Sequence, residues 1–353
     1  MPTAAPDFMD QETQVTQPSA QVPVHHGVDR ARFESEIVPL GRPAVLKGLV
    51  DDWPAVSLAR TSPRTFADYL LSYDSGTPVR AFFGEPETGG RFGYSDDLKG
   101  FNHEQRSISL KSLLDQVLNR DSGGEQGHIY AGGVPLPKVL PGMAEAHPMP
   151  LLDPDKERLT SLWIGNRSRT AAHWDLAQNL ACVVAGRRRF TLFPPDQIGN
   201  LYVGPIDLTL AGQPISLVDI VEPDFERHPK YRSALAVAEV AELEPGDALY
   251  LPSLWWHHVE SLEDFGAMIN LWWRDGPEYL TTPMLTMLHA LLTIRDLPPG
   301  ERQQWRTFFD HYIFQTGDDP VAHLPPDARG ILGSMTGSIR ARIKAILLQS
   351  LQR

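Results

Sequence analysis

The chain has 353 residues, of which 42% are hydrophobic, so it can build a substantial core in one large domain or two ordinary ones. A formal net charge of −12 works against nonspecific binding to nucleic acid or anionic membranes, because that binding depends on clustered Lys and Arg. No apolar run is long enough to span a bilayer, and Met1 to Asp7 lack the basic and apolar parts of a signal peptide. These features predict a globular cytoplasmic protein that does not associate with membranes.

The first part of the chain combines a polar leader with mixed helices and strands. Residues 1–25 are polar with little apolar patterning, which predicts a disordered leader. Residues 30–37 favour a short helix, and residues 42–50 favour a strand. Residues 62–71 predict a helix with Ser62 as its N-cap and Pro63 at its first position. Short strands are expected near residues 79–83 and 128–131.

Short apolar runs separated by turn signals dominate the stretch from about residue 161 to 273. The runs lie at residues 162–164, 173–184, 188–193, 248–251 and 267–273. Strands at such spacing predict a β-barrel or sandwich rather than a parallel α/β sheet. The single cysteine, Cys182, lies within one of these runs, so we expect a small buried hydrophobic side chain with no disulfide partner.

The pattern becomes helical from about Pro277. Helices are predicted at residues 283–294, 300–314 and 337–351. The first is apolar nearly all round, which implies burial against the barrel or against a second subunit. We therefore expect a leader at 1–25, a β-domain at 26–276, and a helical region at 277–353 that forms a dimer.

Two separated segments supply residues suited to a metal. The first, at 170–175, contains His173 and Asp175, which would share one face of a β-strand while Trp174 points to the other. The second, at 252–258, ends in His257 and His258. Two His and one carboxylate form the facial triad of Fe(II) oxygenases, although zinc also takes such ligands. Alternation along the strand does not decide between His257 and His258.

A buried cation is predicted near these residues. Alternation over 187–193 places Arg188 on the same face as Phe190 and Leu192, with Arg187 and Arg189 on the other. A guanidinium on an apolar face needs an anionic partner, which a dicarboxylate cosubstrate would supply; a solvated turn or a structural ion pair is the alternative. Three other polar residues would outline a pocket beside the metal: Thr170, Asn179 and Asn270.

An ordered set of motifs resembles the JmjC and cupin-like Fe(II)- and 2-oxoglutarate-dependent oxygenases, and among them is most similar to the asparaginyl hydroxylases that inhibit hypoxia-inducible factor. The resemblance covers roughly residues 28–275. The motifs are Arg-Pro-Ala-Val-Leu-Lys-Gly at 42–48, Asp-Trp-Pro at 52–54, Thr-Ala-Ala-His-Trp-Asp at 170–175, Asn179, Gly-Arg-Arg-Arg-Phe-Thr-Leu-Phe-Pro-Pro-Asp-Gln at 186–197, Pro-Gly-Asp at 245–247, Trp-Trp-His-His-Val-Glu-Ser at 255–261, and Asn-Leu-Trp at 270–272.

The resemblance implies a mainly β fold, the double-stranded β-helix or jelly roll, with N-terminal helices beside it and a C-terminal helical region. It implies that His173, Asp175 and His257 ligate Fe(II). It further implies a 2-oxoglutarate site made of Thr170, Asn179, Arg188, Asn270 and Tyr130. Trp272 and His258 would border the substrate pocket.

Two positions depart from the resemblance. Arg188 stands where the asparaginyl hydroxylases have Lys, which changes the pose of the cosubstrate. Residues 203–218 lack an Arg-Gln pair that contacts the peptide in those enzymes, so the asparaginyl substrate does not carry over.

The activity implied by the family is hydroxylation with O2 and 2-oxoglutarate, releasing succinate and CO2. A protein side chain is our first expectation for the substrate. The alternatives are the same chemistry on a small molecule or an RNA nucleoside, and an inactive metal-binding cupin that serves as a binding module. The expected partners are the substrate and a second copy of the chain bound through the C-terminal helices; nucleic acid is not expected.

Overall fold

A computed structural model describes residues 17–18, 20–120, 127–209, 212–314, 317 and 319–352. These residues form two compact units, which divide between Gly276 and Pro277. Across the described ranges, no helix combines the length and the apolar character that a bilayer crossing requires.

The first unit is mainly β. Its strands, numbered in chain order, are β1 (Ala20–Gln21), β2 (Val24–His26), β3 (Ala44–Lys47), β4 (Val79–Gly84), β5 (Arg91–Phe92), β6 (His103–Ile108), β7 (His128–Pro135), β8 (Leu159–Gly165), β9 (Ser168–His173), β10 (Gln178–Ala185), β11 (Arg188–Phe193), β12 (Glu239–Leu243), β13 (Ala248–Leu251), β14 (Trp256–Ser261) and β15 (Gly266–Trp273). A six-stranded sheet has the order β1-β12-β11-β14-β9-β5, and a nine-stranded sheet has the order β2-β3-β13-β10-β15-β8-β7-β4-β6.

The eight strands from β8 to β15 form the centre of the fold. Four of them, β12, β11, β14 and β9, are neighbours in the smaller sheet, and the other four, β13, β10, β15 and β8, are neighbours in the larger one. The chain passes repeatedly between the two sheets, and all neighbouring pairs within these two sets are antiparallel. This arrangement confirms the predicted jelly roll.

Helices of the first unit flank the nine-stranded sheet or lie in connections. They are α1 (Arg30–Arg32), α2 (Pro54–Thr61), α3 (Pro63–Leu71), α4 (Leu110–Leu118), α5 (Leu136–Val139), α6 (Met143–Ala146) and α7 (Tyr231–Ala236). The helix expected at residues 30–37 forms, with α1 continuing as a π-helical turn over Phe33–Ile37. Ser62 caps α3 as predicted, its hydroxyl accepting a hydrogen bond from the Thr65 amide at 3.0 Å. The helices α2 and α4 were not predicted.

Strand β10 shows how the core is divided. Leu180, Cys182 and Val184 face a hydrophobic cluster that includes the flanking helices, whereas Ala181 and Val183 face the space between the sheets. A strand that is buried on both faces has a continuous apolar sequence, and residues 180–185 of β10 form such a run. Cys182 is a fully buried free thiol, as predicted, and burial raises its pKa.

The segment expected to be a disordered leader contains structure in its described part. Strands β1 and β2 lie within residues 20–26 and pair in parallel with β12 and β3. Residues 1–16 and 19 lie outside the described residues. The expectation of disorder therefore does not hold for residues 20–21 and 24–25, which gain their order from long-range pairing that the local sequence does not show.

The second unit is helical. It contains α8 (Met284–Thr293), α9 (Pro299–Phe309), which continues as a π-helical turn over Asp310–Phe314, and α10 (Gly337–Leu351). These helices match the three predicted ones. Four large apolar side chains of α8 are exposed in the single chain: Leu285, Met287, Leu288 and Leu292, the last at 78%.

Candidate metal centre

A cavity of about 380 Å³ opens in the first unit, and its lining includes residues of both central sheets. Its wall contains His173, Asp175 and His257. One ligand-capable atom from each of the three lies within 4.8 Å of the others, and Nε2 of His257 is 3.7 Å from Oδ2 of Asp175. Within the described residues, this is the one group of three or more His, Cys, Asp or Glu close enough to hold a metal.

The two imidazoles come from neighbouring strands. His173 ends β9, and His257 lies directly opposite it on β14, so their ring centroids are 4.2 Å apart. The pairing shifts register between His257 and Val259, an irregularity of the kind that often occurs near functional sites. This register selects His257, which the sequence pattern alone did not.

Asp175 reaches the site in a different way from the one predicted. The strand expected at residues 173–184 is interrupted, because β9 ends at His173 and β10 begins at Gln178 in the other sheet. Asp175 therefore lies on the connection between the sheets, where its carbonyl accepts a hydrogen bond from the Leu254 amide at 2.9 Å. The predicted placement of His173 and Asp175 on one face of one strand is wrong, although both residues do line the cavity.

Hydrogen bonds fix how the imidazoles present their nitrogens. Nδ1 of His173 is 2.9 Å from the Ala171 carbonyl, and Nδ1 of His257 is 3.0 Å from the Trp255 carbonyl. Since a carbonyl only accepts, each Nδ1 carries the proton and each Nε2 keeps a free lone pair, as a metal ligand must. Burial, reinforced by the neighbouring His173, lowers the pKa of His257 to about 4, so its imidazole is neutral at pH 7.

The carboxylate of Asp175 is oriented by an aromatic side chain. Nε1 of Trp272 donates a hydrogen bond to Oδ2 of Asp175 at 3.2 Å. Trp272 was expected at the pocket, and it does line the cavity, but this contact was not anticipated, since it joins residues 97 positions apart. Partners that orient a ligand in this way typically affect metal affinity.

Replacing Trp272 with Phe should lower Fe(II) affinity about 10-fold, the lower end of the range for losing a hydrogen bond to a metal ligand. Phe keeps most of the packing against Trp163, whose ring centroid is 6.2 Å away, but leaves Oδ2 of Asp175 without its donor. Anaerobic titration with Fe(II) measures the change. Trp305→Phe, on the exposed face of α9, serves as the control; an unchanged affinity in Trp272→Phe would contradict the orienting role.

His258 lies on the other face of β14. It does not line the cavity, and its Nε2 points towards Glu260, 3.9 Å from Oε1. Alternation along the strand accounts for this, because adjacent residues project to opposite faces. The expectation that His258 borders the substrate pocket is therefore not met.

Arg188 is a buried cation in the same cavity. Its side chain faces the lining together with Phe190, while Arg187 and Arg189 form ion pairs with Glu263 and Glu242 at the surface, as alternation predicted. Arg188 forms no hydrogen bond or ion pair with any described residue, and its Nε is buried without a partner. Burial lowers the pKa of its guanidinium to about 10, which leaves it charged at neutral pH.

The other residues expected around the cosubstrate also line this cavity: Thr170, Asn179, Asn270 and Tyr130. Nδ2 of Asn270 donates to Oδ1 of Asn179 at 2.9 Å, and Oδ1 of Asn270 is buried without a partner. Tyr130 stacks on Phe82 with ring centroids 4.9 Å apart, and burial raises the pKa of its hydroxyl, which stays a donor at neutral pH. The cavity thus has a metal-binding group and a separate cationic, polar region.

Several lining residues were not anticipated. Trp163 packs parallel to Tyr130, with centroids 6.4 Å apart, and extends the aromatic wall. Arg80 from β4 adds a second Arg, and Gln213 and Ile215 enter from the connection between β11 and β12. No local pattern distinguishes these residues from ordinary surface or core positions, since only the folding of distant segments brings them together.

The jelly roll and the two-His, one-carboxylate group define a protein of the cupin class with a candidate metal centre. The chain belongs to the family described as "Cupin-like domain", whose model matches residues 30–279.

Comparison with curated proteins identifies relatives whose names refer to different activities. The chain is 26% identical over 277 residues to tRNA wybutosine-synthesizing protein 5 of Gallus gallus, covering 74% of this chain and 79% of that protein. It is 27% identical over 265 residues to Lysine-specific demethylase 8 of Danio rerio, covering 73% and 60%. A shorter match, 37% identical over 115 residues, is to HSPB1-associated protein 1 of Homo sapiens, covering 32% and 23%.

Proposed function

We propose that the chain is an Fe(II)- and 2-oxoglutarate-dependent oxygenase that hydroxylates its substrate. The observation that carries the proposal is that one cavity contains both the group His173, Asp175 and His257 and the unpaired guanidinium of Arg188. A metal with open coordination positions suits the first, and a dianionic cosubstrate suits the second. The family resemblance joins these two features into a single chemistry.

The residues fit the proposed groups. Nε2 of His173, Nε2 of His257 and the Asp175 carboxylate would hold Fe(II), and Arg188 would bind the distal carboxylate of 2-oxoglutarate. When bound, Fe(II) and 2-oxoglutarate supply the activation of O2, with release of succinate and CO2. The chain positions these groups, and its aromatic wall around Tyr130 and Trp163 excludes water from the reacting carbon.

We propose a protein side chain as the substrate. The name of the relative Lysine-specific demethylase 8 refers to a polypeptide substrate, which supports this choice. The name of tRNA wybutosine-synthesizing protein 5 refers to tRNA, which supports an RNA nucleoside as the second candidate. The net charge of −12 favours the former. Asparagine is not carried over as the target, because Gln213 and Ile215 stand at the cavity in the segment that lacks the Arg-Gln pair.

Succinate formation tests the proposed chemistry. Purified protein supplied with Fe(II), 2-oxoglutarate and air should bind 2-oxoglutarate and produce succinate, and the metal content of the purified protein distinguishes iron from zinc. An inactive binding module would bind metal without producing succinate. The proposal fails if the wild-type protein neither binds nor consumes 2-oxoglutarate and behaves identically to His173→Ala.

We also propose that the C-terminal helices form a dimer. Several large apolar side chains of the second unit are exposed, among them Leu285, Leu288 and Leu292 on α8, and exposed apolar surface of this kind marks an interaction site. Introducing Leu288→Glu together with Leu292→Glu, one turn apart, should convert a dimer into a monomer. Light scattering measures the mass; Val221→Glu, an exposed site in the first unit, is the control, and a wild-type monomer would overturn the proposal.

A further inference from the structure

The cavity holds a second cation that the proposed chemistry does not use. Arg80 lies on β4 with its guanidinium 5.5 Å from the centroid of the Phe82 ring. It is exposed, belongs to the cavity lining, and makes no ion pair or hydrogen bond with any residue in the described parts of the chain. By contrast, Arg106 on the neighbouring strand β6 pairs with Glu104 and stacks on Phe83. Arg80 is therefore available to a ligand.

The charges of the loaded cavity leave Arg80 without a counterion. The charged residues in the lining are Arg80, Asp175 and Arg188. Fe(II) carries two positive charges and Asp175 one negative charge, which leaves one positive charge. Together with the positive charge of Arg188 this makes two, which the two negative charges of 2-oxoglutarate would neutralise. The positive charge of Arg80 then remains, at an exposed position in the lining from which it can attract an anionic ligand.

The surface between Arg80 and the metal group is aromatic and apolar. Phe82, Tyr130 and Trp163 form a stacked wall. A Cβ at position 132 would come within 2.5 Å of the Trp163 ring, so the glycine at this position leaves room for the ring. Strand β4 is three strands from β15, whose Trp272 contacts Asp175 of the metal group, or about 14 Å from β15 at the usual spacing. A substrate that reaches both ends would cross this wall with carbon atoms.

We propose that Arg80 is a specificity-determining residue that binds a carboxylate of the substrate at the cavity mouth. This inference rests on the proposed function and assigns its substrate class: a carboxylate-bearing molecule, either a polypeptide with an acidic side chain or a small carboxylic acid. A methylated lysine is disfavoured because its cation would meet Arg80. RNA is disfavoured because phosphate backbones are bound by clustered cations, and Arg80 has no cationic neighbour in the lining outside the buried Arg188.

Paired substrate pools test the inference. One pair contains blocked hexapeptides with a single Asp or Glu, against the same peptides with Asn or Gln; the other contains small carboxylic acids against their amides. An RNA oligonucleotide pool is the third arm. Succinate formed above the substrate-free rate is measured for the wild type, Arg80→Gln, Arg80→Glu and the matched surface variant Arg106→Gln. Binding of the same pools to metal-free protein is followed by the change in tryptophan fluorescence, to which Trp163 and Trp272 in the cavity lining contribute.

We expect an acidic pool, and not its neutral partner, to raise succinate formation in the wild type and in Arg106→Gln. Arg80→Glu should lower kcat/KM for the acidic substrate about 10- to 100-fold, mainly through KM, which is the range for a lost charge-assisted hydrogen bond. Which acidic pool responds identifies the source of the carboxylate.

Three results would overturn the inference: equal responses to acidic and neutral pools, an Arg80→Glu variant that keeps the wild-type preference, or a response to RNA alone. If the wild type makes no succinate under any condition, the proposed function fails instead. The fluorescence titration then decides on Arg80 by itself, since an acidic preference that Arg80→Glu removes supports the site and its absence excludes it.

Discussion

Asp175→Ala should lower the affinity of the protein for Fe(II) about 100- to 1000-fold, because one ligand's share of the roughly 10–16 kcal/mol found for four-ligand metal sites is about 3 kcal/mol or more. The substitution removes the carboxylate that, among the described residues, completes the metal group with His173 and His257, its ligand atoms all lying within 4.8 Å of one another. It also leaves Nε1 of Trp272 without its acceptor. Succinate formation should fall with the metal.

Anaerobic Fe(II) titration and the metal content of the purified variant measure this loss. Asp155→Ala is the matched control, since that side chain is exposed and does not line the cavity. The thermal unfolding temperature of both variants should stay close to that of the wild type without metal, which separates a lost ligand from a lost fold. Wild-type Fe(II) binding by Asp175→Ala would remove Asp175 from the metal site.

Arg188→Met should have two opposite effects, a large loss of 2-oxoglutarate affinity and a gain in the stability of the ligand-free protein. A bidentate pair with a carboxylate contributes two charge-assisted hydrogen bonds of about 1.5–3 kcal/mol each, so we expect a loss of at least about 100-fold. Met retains much of the length and apolar surface of the Arg side chain. Arg188→Lys, which keeps the charge, should lose no more than about 10-fold.

The stability gain follows from the pKa of Arg188. Its folded-state pKa of about 10 lies below the ordinary value of 12.5, so the charged form is disfavoured in the folded protein. The free-energy cost of burying the charged guanidinium amounts to about 3 kcal/mol. It is present in full at any pH below about 10 and disappears only above the pKa of the unfolded state. Removing the charge should therefore raise the thermal unfolding temperature at pH 7.

Thermal unfolding with and without 2-oxoglutarate measures both effects of Arg188→Met in one experiment. Arg189→Met is the matched control, because Arg189 lies on the opposite face of β11, where it pairs with Glu242 and Glu260. That control should leave the affinity for 2-oxoglutarate unchanged. If Arg188→Met binds 2-oxoglutarate like the wild type, or unfolds at a lower temperature, Arg188 is a structural cation rather than a cosubstrate ligand.

Local periodicity predicted those parts of the fold in which one strand face differs from the other. The bounds of β11 and β13 match the predicted runs, and Arg188 faces the cavity as alternation required. Periodicity failed over residues 173–184, because residues 174–177, where the chain passes from one sheet to the other, contain no Gly or Pro to mark a turn. Non-local hydrogen bonds, such as that from the Leu254 amide to the Asp175 carbonyl, fix that crossing.

The candidate site was predicted as a set of residues more readily than as a geometry. Resemblance to the family motifs identified His257 as a metal ligand. The register of β9 against β14 gives the structural reason, because it places His257 opposite His173. The contact between Trp272 and Asp175, and the stacking of Phe82 on Tyr130 beside Arg80, join segments far apart in sequence. A single chain contains no local signal for such pairs, since each residue taken alone reads as an ordinary core aromatic or a surface cation.

The rate at which the buried thiol of Cys182 reacts measures how often the protein opens transiently. It is the single cysteine of the chain and is fully buried in the middle of β10, the strand that carries Asn179, opposite Ile269 of β15, the strand that carries Asn270. A thiol reagent can reach it only when the nine-stranded sheet separates from its flanking helices. The labelling rate of the unmodified protein thus reports, without any engineered label, how often the jelly roll opens and how far a bound ligand suppresses that opening.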